Sequence, residues 1–264
     1  LQQDLLVQGL LRTDGGGEDT PFAARDLERN FIDIALFDEY RTQNGQLVAD
    51  PVASRLNRWN RPVRLSVRFG ATTPPDQQAK DRMAISDYAD RLSSVTGHPV
   101  RVTNGPGNFT ILILNEDERR GYEAELRTLI PDLDQPTLTA FLDMPRSTLC
   151  YVVTLSDPQR NTGYLKAVAI IRAEHPDLLR LSCIHEEIAQ GLGLANDSPS
   201  ARPSIFNDNE EFGLLTNHDA LLLQMLYDPQ LKTGMTEAEA RPIIRALSRQ
   251  LTGELPLSGR VREN

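Results

Sequence analysis

Histidine is scarce in this chain, with four in 264 residues. His98, His175 and His218 are too scattered to assign to a common site, so no histidine-built metal centre follows from the sequence. Long apolar runs are missing too. None approaches the roughly 20 residues that a bilayer-spanning helix needs. Leu5, Leu6, Val7, Leu10 and Leu11 lack a basic flank and are interrupted by Gln8 and Gly9, so they do not read as a signal peptide. Basic residues are outnumbered 28 to 37, giving a net charge of −9. That balance argues against nucleic acid or an anionic membrane surface as the main partner and suits solubility. Cysteine is limited to Cys150 and Cys183. They are either two buried thiols or one bridge. A bridge would close a loop of roughly 33 residues, worth about 3–4 kcal/mol, and would imply an oxidising compartment.

What is present is an ordinary globular composition, 39% apolar and 25% charged, with enough length for a substantial core. Residues 1–26 read as a flexible arm or linker around the Gly15–Gly17 run. Residues 27–252 read as one domain, and 253–264 as a tail. Leu27, Phe31, Ile34, Ala35 and Asp38 fall at helical spacing, which predicts a helix over 27–40. Asn44 and Gly45 mark a turn. Alternation predicts a strand at 64–69, and Pro74–Pro75 open a helix over 76–96 that stops at Gly97. Strands follow at 100–103 and 110–114, the second apolar throughout and therefore expected to be buried on both faces. A helix over 117–130 precedes strands at 149–155 and 164–172, joined by turn chemistry across 156–163. The order is mixed α and β.

The stretch from Glu186 to Asp197 reads EEIAQGLGLAND. Pro176 is placed at the first turn of a helix and Gly193 at its end. Leu181, Ile184, Ile188 and Leu192 form a narrow apolar stripe. Glu186 and Gln190 lie nearly opposite it, one turn apart, with Glu187 between them and its edge. Taken alone, such a face reads as solvated. If Glu186 and Glu187 were buried together without metal, one pKa would rise. A protonated carboxyl bonded to Gln190 or Asn196 could then stand in for an ion.

The same stretch resembles the metzincin zinc signature HExxHxxGLxHD with its histidines replaced. Glu186 falls on the first histidine, Glu187 on the catalytic glutamate, Gln190 on the second histidine and Asn196 on the third. Gly193 and Leu194 fall on the turn and Asp197 on the residue after the third ligand. His185 offers an alternative HE pair, but that register puts Ala189 at the second histidine. Phe206, within the run 204–207, takes the methionine position of the Met-turn. Leu215, Thr216, Asp219, Leu226 and Tyr227 resemble the final helix of matrixins and serralysins, although Thr216 and Asp219 also form a capping box. His218 reads as a helix-surface residue.

On these residues the chain resembles a family of proteobacterial envelope proteins and putative lipoproteins grouped with the zincins. The resemblance implies an α+β zincin (metzincin-like) fold: a mixed, mostly parallel sheet with an antiparallel edge strand, an active-site-type helix and C-terminal helices. It implies a place in the periplasm or at the outer membrane of a Gram-negative bacterium, with a lipid anchor upstream of residue 1. One carboxylate and two amides are poor zinc ligands, so no metal or cofactor is expected. The leading expectation is a pseudoprotease that binds a peptide or protein partner along a cleft-edge strand at 164–172. One alternative is a metal-dependent hydrolase, its ion held by Glu186, Gln190 and Asn196, with Glu187 as general base and zinc as cofactor. The other is a purely structural envelope protein.

Overall fold

The structure, a computed structural model, describes residues 2–8, 10–43, 46–131, 133–156, 163–207 and 209–254. The turn read at 44–45, the centre of the loop read at 156–163 and most of the tail read at 253–264 lie outside the described residues. Helices α1 (Gln2–Val7) and α2 (Ala24–Ala35) precede an antiparallel hairpin, β1 (Phe37–Gln43) and β2 (Gln46–Ala53). Then come β3 (Val63–Phe69), α3 (Pro75–Thr96), β4 (Val100–Val102) and β5 (Phe109–Leu114). Short helices α4 (Glu116–Arg120), α5 (Glu123–Leu129) and α6 (Gln135–Leu142) lead to β6 (Cys150–Ser156) and β7 (Tyr164–Arg172). The chain continues through α7 (Asp177–Gln190), α8 (Asn217–Leu226) and α9 (Glu237–Leu251).

Five strands form one sheet in the order β4-β3-β5-β7-β6. All neighbours are parallel except β6, which runs antiparallel to β7 at the edge. The fold is therefore α+β with a mixed, mostly parallel sheet and an antiparallel edge strand. Its two faces are both covered, as the unbroken run in β5 requires. Ile111 and Ile113 enter the larger core with α2, α3, α7, α8 and α9. Leu112 and Leu114 enter a second core with Leu126, Leu138 and Phe141 from α5 and α6. Alternation repeats in β7, where Ala167, Ala169 and Ile171 face the larger core and Val168 and Ile170 the smaller. A one-residue slip of either strand would exchange these two sets.

Several expectations are corrected. The helix read over 27–40 stops at Ala35, and Phe37 pairs with Ala53 in the hairpin. Its apolar spacing ends at Ala35, and β pairing takes over two residues later. The helix read over 117–130 is two, broken at Gly121–Tyr122, with Asn115 and Glu118 boxing the first. Residues 164–172 are not the sheet edge, because the hairpin return of 150–156 pairs outside them. His218 is fully buried rather than on the surface: it bonds Asn30 at 3.0 Å and meets the Phe22 ring edge-on. Within the stretch read as an arm, Leu11 is buried. The N–H groups of Leu11 and Arg12 donate to the carbonyls of Glu210 and Glu211, both at 2.7 Å.

Candidate functional site

Helix α7 crosses the face of the larger core, and each of its sides is held by different chemistry. Arg180 donates to both oxygens of Asp81 on α3, at 3.0 and 2.7 Å, with both side chains buried. Its charge is paired at close range, which is what burial of an arginine demands. Ile184, Ile188 and Leu192 are fully buried in the core. The helix ends at Gln190, and side chains from elsewhere serve the carbonyls beyond it. Trp59 Nε1 donates to Gly191 O at 2.7 Å and the Tyr227 hydroxyl to Leu192 O at 3.0 Å. These carbonyls lie just past the helix, where no further turn follows to supply them with N–H partners.

The turn that follows depends on glycine. Gly193 has φ +127°, and a Cβ there would lie 2.4 Å from the Asn57 carbonyl oxygen. The chain then returns through Asn196, whose amide donates to Asp33 O at 2.8 Å and whose backbone N–H donates to Ile34 O. Ser198 N–H donates to Phe206 O at 2.8 Å, which ties this return to the segment containing fully buried Phe206.

His185 belongs to the packing of α7. It stacks on Tyr88 with ring centroids 3.9 Å apart, and its Nδ1 accepts from Leu215 N–H at 3.1 Å. Burial, then Arg91, hold its pKa down to about 3, so it is neutral at physiological pH. It is a satisfied core histidine.

The carboxylates have a different environment. Glu187 is 3% exposed, and its Oε2 makes no hydrogen bond among the described residues. Glu186 is half-buried. One carboxylate oxygen from each lies within 4.8 Å of the other and of Cys150 Sγ. Burial raises the Glu186 pKa well above the usual carboxylate range, with Asp197, Glu187, Glu210 and Glu39 adding to the rise. Burial likewise raises Glu187, helped by Glu39 and Asp197. Gln190 is buried, and its Nε2 donates to Asp197 Oδ1 at 3.2 Å. The solvated reading of this helix face is therefore overturned, and acids from β1, α7 and the connection that follows α7 converge on it. Glu39 and Glu210 were not singled out in the sequence. Glu39 lay inside the stretch read as helix, and Glu210 lay in a loop with no motif.

Cys150 and Cys183 are bridged. The bridge joins edge strand β6 to α7 beneath it, and its Cys150 sulfur lies 3.9 Å from Glu186 Oε2. A bridged sulfur has no proton to donate, so this is a contact rather than a hydrogen bond. Above the helix a cavity of about 690 Å³ opens between β6 and the base of the β1–β2 hairpin. Tyr151, Val152 and Thr154 line one wall, Asp38, Glu39 and Asn57 the other, and Gln190 reaches it from α7.

Zinc does not fit this donor set. Asn196 gives its amide N–H to α2 and has only its unbonded Oδ1 to offer, His185 is engaged by Tyr88 and Leu215, and the nearest sulfur is locked in a bridge. What remains are hard amide and carboxylate oxygens, which zinc does not favour.

A family model described as a protein of unknown function (DUF2927) matches residues 24–246. The chain belongs to the DUF2927 family. The match opens at the first residue of α2 and ends within α9, so it takes in the whole sheet, the bridge and the acidic face of α7. Nothing among curated proteins matches this DUF2927 chain. No helix among its described residues is long and apolar enough to cross a membrane.

Proposed function

We propose that this DUF2927 protein is a zincin-fold pseudoprotease of the cell envelope, with a cleft that binds an extended segment of a peptide or protein partner along β6. The observation that carries the reading is the position of β6: it closes the sheet as an edge strand and lines the 690 Å³ cavity over α7. An edge strand offers backbone donors and acceptors to an incoming strand, and pockets beside it select alternate side chains. Such binding needs no metal. The zincin assignment is supported by the order of elements: edge strand, inner strand, helix, glycine turn at Gly193, then the segment around Phe206. The bridge supports an oxidising compartment, and hence a site outside the cytoplasm.

The test is selection from a peptide display library, followed by affinity measurement with Val152→Arg and Thr154→Arg. The expected result is an extended binder whose affinity falls at least tenfold in both variants, with no cleavage and no bound zinc. Stoichiometric zinc with cleavage abolished by Glu187→Gln would replace this reading with the hydrolase. Failure to select any binder would favour the structural role.

A further inference from the structure

The unpartnered oxygen of Glu187 carries an inference that does not depend on peptide binding. A buried polar atom without a partner costs free energy comparable to a lost hydrogen bond, and more when it belongs to an ionisable group. The Asp81–Arg180 pair, under the same helix, shows how this protein satisfies a buried acid when it needs only a structural contact. For Glu187 Oε2 no such partner is provided among the described residues. One oxygen of its carboxylate is instead grouped with one from Glu186, and the acids acting on the pair are Glu39, Asp197 and Glu210. Asp197 is itself oriented by Gln190.

We propose that Glu186 and Glu187 form the inner ligands of a site for a hard divalent cation of the calcium type, with Asp197 and Glu39 supplying further negative charge around it.

The donors select the class of ion. Calcium takes carboxylate oxygens at about 2.3–2.6 Å in irregular geometry, so two oxygens on one ion lie at most about 5 Å apart. The Glu186 and Glu187 oxygens, at most 4.8 Å apart, fall within that span. Magnesium, with bonds near 2.0–2.1 Å and strict octahedral demands, fits this set less well. Zinc and copper would want the Cys150 sulfur, which the bridge removes as a thiolate. In this arrangement Glu187 is a ligand and not a free base. The residues at the second and third histidine positions then act by placing the return loop: Gln190 by holding Asp197, and Asn196 by holding α2.

The experiment uses the full chain without a histidine tag, its bridge intact, stripped with chelator and titrated calorimetrically with CaCl2, MgCl2, MnCl2 and ZnCl2. We expect one calcium per chain, bound more tightly than magnesium or zinc, with an unfolding midpoint that rises with calcium concentration. Glu186→Gln and Glu187→Gln should each weaken calcium binding at least tenfold. Both changes preserve shape, and circular dichroism with an intact bridge would verify folding. The proposal is overturned if none of the hard cations saturates below 10 mM. It is equally overturned if binding survives unchanged in the double Gln variant, or if zinc binds more tightly than calcium. Peptide binding by a protein that takes no cation would sink this inference and leave the cleft reading intact; the reverse result would do the opposite.

Discussion

Asp219 and Glu187 are both buried carboxylates on helices of the larger core, and their surroundings differ sharply. Asp219 is fully buried at the third position of α8, where it accepts from the Ser204 hydroxyl at 2.5 Å and from the N–H groups of Ile205 and Thr216, each at 3.0 Å. The Thr216 hydroxyl lies near both Asp219 and Pro203 O, and its single proton serves one of them. Asp219 therefore fastens the segment around Phe206 to the start of α8. Glu187 is nearly as buried and leaves one oxygen without a hydrogen bond among the described residues. The difference separates an acid that holds the fold from an acid that the fold holds in place for something else.

Substitution should divide the two. Asp219→Ala strands three donors in the core and should cost roughly 3–5 kcal/mol, read as a lowered midpoint in urea. A loss under 1 kcal/mol would break the contrast from Asp219's side. Replacing both Cys150 and Cys183 by Ala should cost about 3–4 kcal/mol by the loop-entropy argument. In the unsubstituted protein, thiol titration after denaturation without reductant should find no free thiols.

The pH response sharpens the comparison further. Glu186 and Glu187 have folded pKa values raised above their unfolded ones, so the folded state keeps protons that the unfolded state releases. Stability from these groups is present at low pH and is lost as pH rises through their folded values. His185 has the opposite sign: its folded value of about 3 lies below the unfolded one, so stability is lost as pH falls from about 6.5. Above that point His185 is neutral in both states and the acids govern. Metal-free protein should therefore lose stability as pH rises above about 6.5, and the double Gln variant should show a flatter profile. The smallest effect is expected from Glu187→Gln alone. At pH 7 it should change stability by less than about 1 kcal/mol, in the stabilising direction, because no native hydrogen bond to Oε2 is lost.

The parts of this molecule that could be read from sequence are those set by periodicity and capping. The two-sided burial of β5, the helix ended by Gly97 and the Thr216–Asp219 box were all visible, because each depends on neighbours within one or two turns. The Gly193 turn was visible too, since a glycine after an apolar stripe announces its role. Edge and interior were not distinguishable. Whether 150–156 or 164–172 closes the sheet depends on strand order, and both segments carry similar apolar patterns. The acidic face of α7 misled for the same reason. Its polarity reads as solvent exposure until Glu39 and the hairpin are folded over it, and Glu39 is almost 150 positions away. His218 and His185 likewise look like surface or ligand candidates until distant aromatic partners claim them.

Trp59 is the chain's one tryptophan, fully buried, stacked near Phe109 and bonded to the carbonyl just past the end of α7. The protein thus carries its own optical probe at the base of the acidic face. All indole fluorescence comes from this ring, so its emission has one source and one address. A ligand that shifts the last turn of α7 by even a fraction of an ångström alters the hydrogen bond to the excited indole. Occupancy of the site can then be followed as a change in emission without attaching a dye, and stopped-flow traces of the same signal would time its arrival.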